Sequence, residues 1–437
     1  LILPGDSLEI DTAGQVTSIE IPNMTLEIDW QAATLQGSAF PNGKLAFYTS
    51  RDYGFITYSS YFTATASSDG DYIVSLLNGI DLKPGDLVQV VLSVNSYLFT
   101  LQGGIPVLSA QLFNNCVSGW LPPNTPYSIS LITGAGVKTT QSLHTSSSGG
   151  FSTCFPYMIE PDFRLIATTT EQVLSMRMPF LTARIEPTQA IVSGIAPPES
   201  NLWLRLSKPL DPYAGPNIIG SQYITASASG TYSVNFGALA PISKAIGQLI
   251  HFDDDWNRTK MSFGTPQITL SIGESLFRGI ANTWGSPVTI TLLSPTTTIS
   301  QVVHLTTYYG SGAYIGVFDP PVQSNDQITI ENVGYSNTLV VPLLTAHHDY
   351  GRNVLVGLAP PGSRIVAYLP SPFYPYQYSI ERHTLADSTG HYGLDTSGMN
   401  FLLGATGYVQ LTDSEGNIFQ RKFQITGYTL YFPCVAR

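Results

Sequence analysis

Two landmarks recur in step along this 437-residue chain, and together they constrain its fold more than any other feature. The first is an apolar residue, a small or polar one, a glycine, then a turn that usually carries proline. It reads Leu35-Gln-Gly37-Ser-Ala-Phe-Pro41, Val117-Ser-Gly119-Trp-Leu-Pro122-Pro123, Val192-Ser-Gly194-Ile-Ala-Pro197-Pro198 and Val356-Gly357-Leu-Ala-Pro360-Pro361, with a proline-free copy at Phe277-Arg-Gly279-Ile-Ala-Asn282. The second is a small-residue turn followed by glycine and an aromatic: Gly70-Asp-Tyr72, Gly149-Gly150-Phe151, Gly230-Thr-Tyr232, Gly312-Ala-Tyr314 and Gly390-His-Tyr392. The glycines of the two landmarks are offset by 33, 30, 36, 33 and 33 residues. Fixed spacing kept five times is the mark of a repeated supersecondary unit.

A third signature closes each unit as a hairpin. Leu82-Lys-Pro84-Gly85-Asp86 opens one, and the fifth unit ends in Tyr408-Val-Gln-Leu, the turn Asp413-Ser-Glu-Gly416-Asn417 and a return strand from Ile418. The arms alternate apolar and polar residues, as half-buried strands do. The chain starts with the same pattern, Leu3-Pro4-Gly5-Asp6, then Asp11-Thr-Ala-Gly14-Gln15 and a strand to Ile21. Residues 1–23 therefore read as the last hairpin of a sixth unit, whose strands can be donated to a neighbouring chain. Each unit of about 80 residues holds roughly seven short strands and no helical pattern, which predicts an antiparallel sandwich. The expected fold class is all-β, a tandem array of antiparallel Ig-like β-sandwich domains over 24–106, 107–179, 180–266, 267–342 and 343–437. The linkers fall at Pro22-Asn23, Ile105-Pro106, Pro179-Phe180, Thr265-Pro266 and Pro342-Leu343, where proline restricts the hinge.

The succession V-S-G-x-A-P-P, A-D-S-x-G-x-Y, L-x-P-G-D and T-D-x-x-G-N resembles bacterial Ig-like tandem repeats of secreted and cell-surface proteins. The fifth unit matches best, through Val356 to Ser363, Ala386 to Tyr392 and Thr412 to Asn417. The resemblance implies stalks, adhesins, surface layers and fibres, and it carries no catalytic residue.

Composition narrows the function. Lys+Arg number 19 and Asp+Glu 30, for a net charge of −11, and charged residues are only 11% of the chain. An acidic chain with scattered cations is a poor phosphate binder, so nucleic acid is excluded as a partner. No uninterrupted apolar stretch approaches 18 residues, so no helical membrane span is expected.

No nucleophile elbow and no assignable carboxylate pair is present, so no enzyme and no cofactor is expected. No metal site is assigned. The calcium candidate is Asp253, Asp255 and Asn257, which have alternate-residue spacing. The loop lacks the glycine and the closing glutamate, and it stands where the fifth unit has its hairpin turn, so it reads as a polar turn. His347 and His348 are neighbours on a strand and face opposite ways, which separates them as ligands.

Of three cysteines, Cys116 and Cys154 lie in one unit and are the disulfide candidate, fitting an oxidising extracellular setting. Cys434 is left over. Asn23 and Asn257 stand in sequons and are the glycosylation candidates. Aromatic loops between the first two landmarks supply the interface candidates Tyr53, Phe55, Tyr58, Tyr213, Phe373, Tyr374, Tyr376 and Tyr378, since Tyr and Pro suit flat contacts with protein or sugar.

The function expected is a non-enzymatic extracellular or cell-surface structural protein, the subunit of a filament, stalk or layer that assembles with itself through sandwich contacts or strand addition. An adhesin that binds glycans or other surface proteins through the aromatic loops, and a phage or virus fibre, are the alternatives.

Overall fold

The computed structural model describes residues 5–426, apart from 13–14, 53–56, 77–80, 95–96, 187–188, 208–217, 238–244, 296–298, 309–311, 371–377, 400 and 402–403. The chain is an all-β tandem array of Ig-like β-sandwiches, and its regular elements among the described residues are strands. It divides into two compact units. The first holds residues 1–180, 197–202 and 250–260, and the second holds 181–196, 203–249 and 261–437.

In the first unit a four-stranded sheet runs in the order Thr57–Thr65, Lys44–Asp52, Asp86–Val94, Tyr97–Gly104, beside a three-stranded sheet of Glu27–Asp29, Thr34–Ser38 and Asp71–Ser75. Alternation explains the layering. In Asp86–Val94, Val88, Val90 and Leu92 are fully buried while the residues between them are half-buried or exposed. Their inward side joins Leu35, Leu45, Phe47 and Tyr72 in one core. A second pair of layers follows. Gly136–His144, Pro126–Thr133, Arg164–Thr168 and Val173–Arg177 form one, and Gly150–Cys154, Cys116–Trp120 and Val107–Gln111 belong to the other.

The second unit contains the three-stranded sheet Arg184–Glu186, Ile191–Ile195, Thr231–Asn235. It also contains a seven-stranded sheet: Ala313–Val317, Leu276–Ile280, Gln267–Ser271, Ile418–Gln424, Thr406–Thr412, Arg364–Pro370, Tyr378–Leu385. A four-stranded and another three-stranded sheet cover it, and one apolar core runs from Ile268 to Ile425.

Both sequence landmarks have a physical cause. A Cβ on Gly37, Gly119, Gly194, Gly279 or Gly357 would lie 2.0–2.4 Å from a backbone carbonyl of the unit's opening segment, that of Thr25, Val107, Thr182, Gln267 or Thr345. The aromatic of the second landmark covers the same glycine. The hydroxyls of Tyr72 and Tyr232 donate to the Thr25 and Thr182 carbonyls at 2.6 Å, Tyr314 donates to Gln267 at 3.3 Å, and Tyr392 donates to Thr345. Phe151 fills the space in the second repeat without that bond. The turn glycines of the second landmark, Gly70, Gly149, Gly230, Gly312 and Gly390, have φ between +65° and +92°. Their carbonyls accept from the amides of Ala39, Leu121, Ala196, Ala281 and Ala359, each two residues past a first-landmark glycine. The offset of 30–36 residues is therefore set by a hydrogen bond that ties the two landmarks together.

The sequence predicts antiparallel pairing throughout, and the structure adds two parallel ladders. Ser109, Ala110 and Gln111 pair with Arg258, Thr259 and Lys260, and Thr269, Leu270 and Ser271 pair with Ile418, Phe419 and Gln420. Each joins the opening strand of an even-numbered repeat to the closing strand of the next repeat. Proline linkers alone do not account for that.

The glycine contact yields a graded expectation. Gly194→Ala forces Cβ into the Thr182 carbonyl and the Tyr232 hydroxyl, and should destabilise by on the order of 3 kcal/mol. Tyr232→Phe removes one buried hydrogen bond and should cost about 1 kcal/mol. Urea unfolding of the two variants beside the parent chain measures both.

Candidate assembly surface

The parallel ladders are built around a turn that the sequence marks as Asp-x-x-x-Asn. Asp253 accepts the amides of Asp255 (3.0 Å) and Asn257 (2.8 Å) on Oδ1, and the Asn257 side-chain amide (3.0 Å) on Oδ2. Asp413 does the same for Glu415 (2.9 Å), Asn417 (2.8 Å) and the Asn417 side chain (2.9 Å). This aims each asparagine oxygen at the neighbouring strand. Asn257 Oδ1 accepts from the Leu108 amide at 2.9 Å, and Asn417 Oδ1 accepts from the Ile268 amide at 3.2 Å. The side chain thus acts as one more backbone acceptor and lengthens the ladder. Both asparagines are buried. Burial raises the Asp253 pKa, and its hydrogen bonds from Asn257 oppose that shift.

The calcium candidate is therefore met as a hydrogen-bonded turn. Both Asp253 oxygens are taken by amide donors, and Asp255 contributes its backbone N–H. Among the described residues no group of three or more His, Cys, Asp or Glu is arranged to hold a metal ion. Asn257 as a glycan acceptor needs correction. Its amide nitrogen donates to Asp253 and to the Ser175 carbonyl and is buried, whereas Asn23 is exposed.

The turn of the first unit also gathers cations. The Arg51 guanidinium lies 6.0 Å and the Lys83 ammonium 5.1 Å from the Trp256 ring centre. Arg51 donates two 2.7 Å bonds to the buried Asp86 carboxylate and a further one to the Asp81 carbonyl. Arg258 reaches over Gly85, where a Cβ would meet its guanidinium at 2.4 Å, and donates to the Pro84 carbonyl at 3.4 Å. The Pro-Gly-Asp signature is thus shaped to admit an arginine from 174 residues away. In the second unit Tyr335 faces Arg184 at 5.8 Å, and Asn337 donates to Glu415 at 2.5 Å. Burial pushes the Tyr335 hydroxyl up to about 12.

Cys116 and Cys154 oppose each other in register on adjacent antiparallel strands and are joined by a disulfide, with Cα atoms 3.9 Å apart. Cys434 lies outside the described residues, as do Tyr53, Phe55, Tyr213, Phe373, Tyr374 and Tyr376. Tyr58 and Tyr378 stand on strands Thr57–Thr65 and Tyr378–Leu385, and their side chains lie outside the described set.

Sheet edges form the other part of this surface. Ile73, Leu98, Val137, Val173, Ile315 and Leu385, all on strands that end a sheet, expose 63–75% of their surface. Among the described edge strands lysine occurs at Lys138 alone, and its ammonium is turned onto Tyr157 and Phe163. Lysines along an edge are a usual guard against edge-to-edge association.

Sequence reading missed that the repeats come in two kinds. The first, third and fifth open on a threonine, Thr25, Thr182 or Thr345, whose hydroxyl accepts an amide from the end of the repeat's second strand, that of Ser38, Ile195 or Leu358. The second and fourth open on full five-residue strands. The glycine steps of 82, 75, 85 and 78 alternate long and short, and a threonine after each even-to-odd linker accompanies them.

The clamp should be measurable. Asn417→Ala leaves the Ile268 amide without its acceptor and should cost about 2–3 kcal/mol, read as faster amide exchange over Gln267–Ser271. His251 supplies a pH dependence. It is buried, and burial pushes its pKa down to about 4 while Asp254 opposes the shift. Unfolded histidine titrates near 6.5, so between pH 6.5 and 4 the unfolded chain binds the extra proton. Stability of the first unit should be complete above pH 6.5 and fall by roughly 3 kcal/mol as pH drops to 4. His251→Gln should flatten that slope in urea titrations at pH 7 and 4.5.

No protein-family model matches the chain, and no curated protein matches it. Among solved structures, the chain is similar to a tetra-tandem repeat from the extending region of a large adhesion protein, at 14% identity over 72% of this chain and 98% of that one, with a TM-score of 0.16. It is similar to the BSP domain of a biofilm-associated protein at 10% identity, over 70% and 92% of the two chains, TM-score 0.16. E. coli α-2-macroglobulin matches at 9% identity over 94% of this chain, which spans 36% of that one, TM-score 0.16. Likenesses at this TM-score carry no argument about what the chain does.

Proposed function

We propose that this chain is a non-catalytic, extracellular structural protein, a subunit of a surface filament, stalk or layer whose sandwiches associate through their strand edges. The observation that carries this reading is the parallel ladder, in which sandwiches of one chain already join edge to edge under an asparagine clamp. Exposed apolar side chains on edges almost without lysine support the same use between chains. The Cys116–Cys154 disulfide supports an oxidising compartment. Five sandwiches bounded near 106, 179, 266 and 342 are part of this reading.

The test is association of the purified chain, by sedimentation and negative-stain imaging. Linear or layered assemblies are expected, and their growth should weaken when edge positions Ile73, Val173 and Ile315 are changed to lysine. A chain that stays monomeric at high concentration and binds glycans on an array would reject self-assembly and select the adhesin alternative. Discrete trimers would select a fibre.

A further inference from the structure

The closing strand Tyr97–Gly104 of the first repeat ends its sheet, whereas the closing strands of the third and fifth repeats each carry a parallel neighbour. The three strands are equivalent. The amide of Gly85 donates to the carbonyl of Ile105, and that of Gly404 to Ile425. Ile105 and Ile425 donate back to Asp86 and Ala405, as Thr265 does to Ala245. Gly104 and Gly264 both abut a tryptophan, Trp120 and Trp284. Aligned on these anchors, Leu98, Phe99 and Thr100 correspond to Arg258, Thr259 and Lys260, and to Ile418, Phe419 and Gln420.

Exposure separates the three. Leu98 is 70% exposed where Ile418 is half-buried and Arg258, packed over Gly85, is 7% exposed. Phe99 is half-buried where Thr259 and Phe419 are buried. Among the described residues the first repeat therefore has the odd-repeat strand without the strand that covers it elsewhere. Residues leading into it complete the pattern. Ile21-Pro-Asn-Met-Thr25 matches the even-to-odd junctions Met178-Pro-Phe-Leu-Thr182 and Val341-Pro-Leu-Leu-Thr345. The hairpin Ser7–Thr12 and Gln15–Glu20 thus stands where an even sandwich ends.

We propose that Tyr97–Gly104 is a docking edge for one kind of strand, the opening strand of an even-type sandwich. It enters parallel, with the register that places the counterparts of Ser109, Ala110 and Gln111 beside Leu98, Phe99 and Thr100. The occupant follows from the two covered examples. Val107–Gln111 and Gln267–Ser271 are the only opening strands of that type among the described residues, and both already lie on the closing strand of the repeat that follows their own. The inference rests on strand pairing as the way sandwiches associate, and it names the edge, the direction and the partner strand.

A synthetic peptide of residues 106–113 added to the intact chain tests it. Amide exchange at residues 98–100 should slow at least about tenfold, and a scrambled peptide should leave it unchanged. A spin label at the peptide's N-terminus should broaden resonances near Tyr97 rather than near Gly104, as parallel entry requires. No slowing, slowing confined to another edge such as Gln15–Glu20, or broadening at Gly104 would overturn the proposal. Self-assembly without the peptide is read separately by sedimentation. Filaments alongside an inert Tyr97–Gly104 edge would reject this edge and keep the broader reading, and a monomer that still captures the peptide would do the reverse.

Discussion

The structure depends on one three-way contact: a backbone carbonyl of the opening segment resting on a glycine, with an aromatic ring laid across both. A carbonyl that deep in a sandwich needs a donor, because an unpaired buried polar group costs about 1–3 kcal/mol. A tyrosine hydroxyl supplies it in four repeats, and only glycine leaves the space. The contact ties the opening segment of a sandwich to its middle. Where Phe151 replaces tyrosine the bond is lost, and the opening strand Val107–Gln111 lies between Cys116–Trp120 and the parallel strand at 258–260, as Gln267–Ser271 does in the fourth repeat, which keeps its tyrosine bond.

Much of this was legible in the sequence. The glycine and Gly-x-aromatic landmarks announce the repeat, because each is one end of a local geometric requirement that tolerates few residues. Alternation in Asp86–Val94 reports its buried face directly. The cysteine pair was legible for the same reason, since both lie within one repeat. The parallel ladders were not. Pairing between Gln111 and Lys260 leaves no local trace, as any alternating strand can serve as either partner. What did betray it was Asp253 and Asn257, whose spacing reads equally as a cation loop. Only the position of the Leu108 amide decides that the asparagine oxygen serves a strand.

Charge scarcity takes on a local meaning once the clamps are seen. Four of the 19 cations sit on aromatic rings or loop carbonyls: Arg51, Lys83 and Arg258 around one turn, and Arg184 against Tyr335. Arg51 holds its place through a buried carboxylate and a carbonyl, so the cation beside Trp256 is fixed.

The asparagine clamps also set a timetable. Leu108 and Asn257 are 149 residues apart, and so are Ile268 and Asn417. During synthesis at about 5–20 residues per second, an opening strand waits on the order of ten to thirty seconds for the strand that covers it. Throughout that interval the even sandwich presents a bare edge to whatever is near. Each ladder therefore ties an even-numbered sandwich to the one that follows it. Loss of the third or fifth sandwich alone would strand an opening segment without its acceptor, while loss of the second and third together, about 160 residues, would leave the other ladder whole.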